Sequence, residues 1–197
     1  MTDFFPRKVD NLNEIVSTFE SFYGLQLIAG TGDTLQTANM TYQEKQRLLR
    51  GLKEIDADIV LIDIGAGTNY HSLDFFMAAD LQICTTMPEH TSIMDFYTFI
   101  KLATIRKALN GFLTRSEVSN ALKKHNFQTI TEVFDLAEKV QPGARAKIQE
   151  DLESFHPMLI INQVMPGSKL NTLKLKKIIS KYLGIYLPEL GEIPEDG

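Results

Sequence analysis

With one cysteine, Cys84, the 197-residue chain cannot form an internal disulfide. That fits a reducing compartment. The apolar setting Leu81-Gln82-Ile83-Cys84 favours a buried thiol over a reactive one. The sequence lacks an apolar run long enough to span a bilayer, and Met1 to Pro6 shows neither the basic nor the apolar part of a signal peptide. A soluble, cytoplasmic protein is expected. The four histidines, His71, His90, His125 and His156, form no His-x-x-x-His pair, which argues against a transition-metal centre. No Gly-x-Ser-x-Gly elbow points to a hydrolase. Neither Gly30-Thr31-Gly32 nor Gly65-Ala66-Gly67 continues to the third glycine of a dinucleotide fingerprint. A basic excess is also missing: the net charge is −5, so the sequence carries no direct signal for nucleic acid. Finally, none of the twelve glycines is followed by lysine, so the chain holds no Gly-Lys-Ser/Thr phosphate loop.

What the chain does contain is concentrated in Asp58-Ile59-Val60-Leu61-Ile62-Asp63-Ile64-Gly65-Ala66-Gly67-Thr68. The consecutive β-branched and leucyl residues predict a strand buried on both faces, as in parallel sheets. The strand ends in Asp63 and a Gly-Ala-Gly turn, and open α/β sheets bind ligands beyond the carboxyl ends of their strands. A strand-end acid followed by a flexible turn suits Mg²⁺ and a γ-phosphate. An ordinary strand closed by a capped turn is the plainer alternative.

Strand and helix signals alternate along the chain, which predicts βα units, a mainly parallel sheet and a three-layer αβα fold. Strands are expected at Leu25 to Ala29, up to Asp63, at Leu81 to Thr86, Met158 to Asn162 and Ile185 to Leu190. Helices are expected over Tyr42 to Ile55, His71 to Ala79, from Ser92 (with Asp95 as a capping box) and over Lys169 to Leu183. The last should turn Leu170, Leu173, Ile178, Ile179 and Tyr182 inward and leave Lys174, Lys176, Lys177 and Lys181, with Lys169, on a solvated face. Between about 110 and 157 the pattern is helical throughout. Thr114 with Glu117 and Thr129 with Glu132 give two capping signatures, and Pro142-Gly143 precedes a third helix. This stretch reads as a helical insertion in a single domain covering 1–197.

Asp58 to Thr68, Pro88-Glu89-His90-Thr91-Ser92, Leu159-Ile160-Ile161-Asn162-Gln163 and Leu190 to Asp196 occur in the order found in MinD/ParA-type ATPases. The chain most resembles the MinD-like proteins that regulate flagellar number or cell organisation. The resemblance implies a P-loop NTPase-like fold, ATP and Mg²⁺ as ligands, a homodimer in the complete protein, and the protein partners of a switch ATPase. It matches Asp63 to the catalytic acid that reaches Mg²⁺ through a water. Gly65, Ala66 and Gly67 match the switch segment that senses the γ-phosphate, Asn162 the residue that pairs with the adenine edge, and Ile193 and Pro194 the loop flanking the base. For Asn162, capping of a strand-to-helix turn is the alternative.

The missing phosphate loop is the main departure. In the family it follows a first, central strand near the amino terminus, and Met1 is expected to fall just after it, which makes the domain incomplete. Gly197 is expected to fall directly after the base-flanking loop, so no basic amphipathic tail supports membrane attachment. Without the loop's amides and lysine this chain alone is expected to bind Mg-ATP weakly or not at all and not to hydrolyse it. A non-catalytic interaction module that keeps the fold is the alternative function.

Overall fold

A computed structural model describes residues 9, 11–30, 40–65, 67–112, 116–168 and 170–196. The chain is mixed α/β and divides into two compact units, Met1–Gly65 with Asn69–Ala78 and Ala66–Thr68 with Ala79–Gly197.

In the first unit, strands β1 (Ser17–Phe19) and β2 (Leu25–Leu27) form an antiparallel pair. The Leu25 to Ala29 strand therefore exists only as a short, exposed hairpin arm and not as a member of a parallel sheet. Helix α1 (Tyr42–Leu52) starts at a capping box: the Thr41 hydroxyl accepts from Glu44 N, and the Glu44 carboxylate accepts from Thr41 N. Helix α2 (Tyr70–Ala78) packs on α1. Leu12, Met40 and Leu48 form the buried core, with Ile15, Ile28, Leu52, Ile55 and Phe75 around it. A largely buried ion pair between Lys45 and Asp74 ties α1 to α2.

The second unit holds a parallel sheet, ordered β3 (Ile83–Thr86), β4 (Met158–Val164) and β5 (Glu189–Pro194). The connection from β3 to β4 contains α3 (His90–Asn110), α4 (Glu117–Lys123), α5 (Ile130–Val140) and α6 (Ala144–Glu153), and α7 (Thr172–Leu183) joins β4 to β5. The stretch expected to be helical throughout thus holds α4–α6. Its middle helix α5 packs on α4, α6 and α7, while α3 packs on β3, α6 and α7. The Glu138 carboxylate accepts from Gly143 N and Arg145 N, closing the start of α6, where Gly143 adopts a left-handed conformation.

The two faces of this sheet differ. Cross-strand partners Cys84 and Leu159, and Thr86 and Ile161, are all buried. On the other face Ile83, partner of Met158, is 48% exposed, Thr85 is exposed, and Ile160 is half-buried. On β3 and β4 one face is buried and the other is half open, while on β5 Glu192, the partner of Ile161, is exposed.

Several sequence expectations need correction. Residues 58–64 form no strand, because no described strand pairs with them. Ile59 is 83% and Leu61 90% exposed, so the run is apolar without being buried. Apolar composition signals a need for burial but does not supply the neighbour. Helix α3 starts at His90 after Glu89, not at Ser92, and no side chain caps it. Ser116 caps α4, while the expected cap Thr114 lies outside the described residues. Helix α7 starts at Thr172 behind the Asn171 cap and buries Leu175, Ile179 and Leu183; Leu173 and Tyr182 face solvent. The last strand spans Glu189–Pro194 instead of Ile185 to Leu190, so Ile185 and Leu187 are buried outside the strand.

Candidate functional site

The three parallel strands send their carboxyl ends in one direction, and that end gathers the candidate residues of the second unit. On β4, Ile160-Ile161 leads to the half-buried Asn162 and then to Gln163, whose φ is +54°. A left-handed conformation is costly for a residue with a Cβ, on the order of 1 kcal/mol. It falls inside the register shift between Ile161 and Val164 against β5. Such a kink redirects the chain at the strand tip. The Asn162 carboxamide makes no hydrogen bond among the described residues, leaving its donor and its acceptor open.

Strand β5 places its end beside this point. Val164 pairs with Pro194, and Glu195 N donates to Val164 O at 3.3 Å. Ile193 and Pro194 are therefore the last residues of β5, and not a loop as expected. Ile193 is about half exposed, an apolar surface at the same end of the sheet as Asn162. At the end of β3, Thr86 leads through Met87-Pro88-Glu89 into the uncapped start of α3. The sheet thus brings Asn162, Ile193 and Pro194 together, with the Pro88-Glu89 turn at the same end.

Asp63 and Gly65 belong to the first unit. The Asp63 Oδ1 accepts from Gly65 N at 2.9 Å, closing a tight turn. Gly65 has φ +64°, a left-handed conformation that favours glycine. The carboxylate is exposed, and its second oxygen has no partner among the described residues. Ala66 lies outside the described residues; Gly67 is half-buried. Asn69, which sequence reasoning missed, accepts from His71 N and Ser72 N through its side-chain oxygen at 2.9 and 3.0 Å, opening α2. An asparagine just before an apolar helical run was the available signal. A hollow along α1, lined among others by Tyr42, Gln46 and Arg50, includes none of the expected site residues.

These residues can be tested against the ligand the resemblance implies. An open carboxamide beside an apolar strand end fits a purine base, which needs an edge to pair with and a face to cover. Asp63 fits as one outer carboxylate of Mg²⁺, which keeps most of its own waters. No group of three or more His, Cys, Asp or Glu side chains that could hold a metal occurs among the described residues. The triphosphate does not fit the residues present, because the sequence offers no Gly-Lys-Ser/Thr cradle for it. No described helix is long and apolar enough to cross a membrane. No protein-family model matches this chain, and neither does any curated protein.

Proposed function

We propose that this chain is part of a MinD/ParA-type ATPase, a nucleotide-dependent switch for spatial organisation or assembly in bacteria, with a three-layer αβα P-loop NTPase-like core. Processes such as cell division, chromosome partitioning or flagellar regulation are the setting this reading suggests. The observation that carries it is the placement of Asn162, Ile193 and Pro194 together at the carboxyl end of a parallel sheet. That end is where such sheets take nucleotides.

In this reading Asn162 pairs with the adenine edge while Ile193 and Pro194 cover the base. With a phosphate loop supplied, Asp63 would hold a water of Mg²⁺, and Gly65, Ala66 and Gly67 would form the segment that senses the γ-phosphate. The metal would neutralise phosphate charge when bound. The chain supplies the base half of the site and one acid, and a phosphate loop must come from elsewhere. Cytoplasmic location, homodimer formation and protein partners belong to the same proposal.

A second reading is favoured by one observation, the exposed apolar run Ile59 to Leu61. In that reading the chain is a non-catalytic interaction module. Nucleotide selectivity separates the two. A version carrying an amino-terminal Gly-Lys-Ser/Thr loop should bind ATP in preference to GTP, and Asn162→Ala should lower that preference about tenfold, the scale of one lost hydrogen-bonded base edge. Equal binding of ATP and GTP, unchanged by Asn162→Ala, would favour the module.

A further inference from the structure

The run from Ile59 to Ile62 is apolar, exposes Ile59, Val60 and Leu61 to solvent, and belongs to no sheet. Its backbone N–H and C=O groups make no hydrogen bond among the described residues. Just before it, Asn13 fixes the chain: its Nδ2 donates to Glu54 O and its Oδ1 accepts from Asp56 N, both at 3.0 Å. Just after it, the Asp63–Gly65 turn closes the segment. Both ends are anchored, so the run is held ready for a neighbour. In an extended chain Ile59 and Leu61 project to one side and Val60 and Ile62 to the other. The first side is 83% and 90% exposed at its two residues, whereas Val60 on the second is 38% exposed.

We infer that residues 59–62 are a docking edge for an added β-strand of a polypeptide partner, an apolar segment bracketed by lysine or arginine. Charge selects this occupant. From Glu54 to Tyr70 the sequence contains four acids, Glu54, Asp56, Asp58 and Asp63, and no lysine, arginine or histidine. All four acids are exposed, and none forms an ion pair among the described residues. Asp58 and Asp63 bracket the run and lie about 17 Å apart along an extended chain. A strand with basic residues at that spacing places a cation against each acid while its backbone satisfies the free N–H and C=O groups. A second copy of the same run would oppose Asp58 and Asp63 to acids in either orientation, which disfavours self-pairing. The inference does not depend on nucleotide binding.

The test uses the full chain and two soluble synthetic peptides with the same alternating valine-threonine core, one flanked by lysines and one by glutamates. With the lysine peptide, amide hydrogen exchange at residues 59–62 should slow on the order of tenfold at saturation. The glutamate peptide should leave it unchanged. Asp58→Lys, a substitution at an exposed side chain, should weaken the lysine peptide by about two- to fivefold at low salt and strengthen the glutamate peptide, with both effects shrinking as salt is added. Equal binding of the two peptides, no binding of either, or protection confined to other segments would overturn the inference. Concentration-dependent dimerisation of the free chain that protects residues 59–62 would overturn it in favour of a second copy.

Discussion

Replacing Leu159 by alanine should cost far more stability than replacing Ile83, although the two lie on neighbouring strands of one sheet. Leu159 sits on the central strand β4, on the covered face, with no exposed surface. Truncation removes three carbons at about 0.8 kcal/mol each, roughly 2.4 kcal/mol of transfer energy. The unfilled cavity adds a further cost, about 1 kcal/mol, for a total near 3–4 kcal/mol. Ile83 pairs with Met158 on the half-open face and is 48% exposed. About half of the same transfer energy applies and little cavity forms, so Ile83→Ala should cost roughly 1 kcal/mol. Ile160→Ala, half-buried on the central strand, should fall between them. Urea unfolding followed by far-ultraviolet circular dichroism measures all three; the chain contains no tryptophan for a fluorescence readout. Equal losses at Leu159 and Ile83 would refute the reasoning, because they would show that both faces are covered in solution.

Three further outcomes follow from the same structure. Asp74→Ala should destabilise the first unit by about 2–3 kcal/mol, because it strands the Lys45 ammonium in a largely buried position; Asp74→Ala with Lys45→Met should recover most of that loss in urea unfolding. The Glu44 carboxyl is held below its ordinary value of 4.5 by hydrogen bonds from the Thr41 hydroxyl and N–H, and Glu138 is held below the same value by Gly143 N and Arg145 N. A depressed folded pKa stabilises above the unfolded value and is lost as pH falls through the folded one, so Glu44→Gln and Glu138→Gln should be less stable than the parent at neutral pH, with the gap closing below pH 4.5 in pH-dependent unfolding. Burial pushes the Cys84 thiol up to about 12, so thiol reagents at mildly alkaline pH should label the native chain slowly and the urea-unfolded chain rapidly, as read by mass spectrometry.

Where local chemistry decides the structure, the sequence was readable. The capping pair Thr129 and Glu132 and the Pro142-Gly143 break placed α5 and α6 within the insertion, because caps and left-handed turns are set by a few adjacent residues. The apolar runs at Leu81 to Thr86 and Met158 to Asn162 became β3 and β4 because each found a neighbour. The Asp58 to Asp63 run carries an equally strong strand signal and forms none, since pairing depends on a partner that the run itself does not encode. Strand β1, paired antiparallel to β2, was missed because three residues are too few for periodicity to register. At the site, Asn162 was legible as a polar residue after an apolar run, although β4 does not end there but continues to Val164. The left-handed Gln163 and the bulge that shifts β4 against β5 were not, because they arise from pairing between strands distant in sequence.

The most direct test of the central claim is phosphate release from Mg-ATP by two versions of the chain. One is the 197-residue chain itself; the other carries an amino-terminal Gly-Lys-Ser/Thr loop. Backbone amides and a lysine around the triphosphate supply most of the charge stabilisation that phosphoryl transfer requires. The account predicts no measurable release from the chain alone, turnover by the extended version, and loss of that turnover on Asp63→Ala. Robust hydrolysis by the chain alone that survives Asp63→Ala would contradict it.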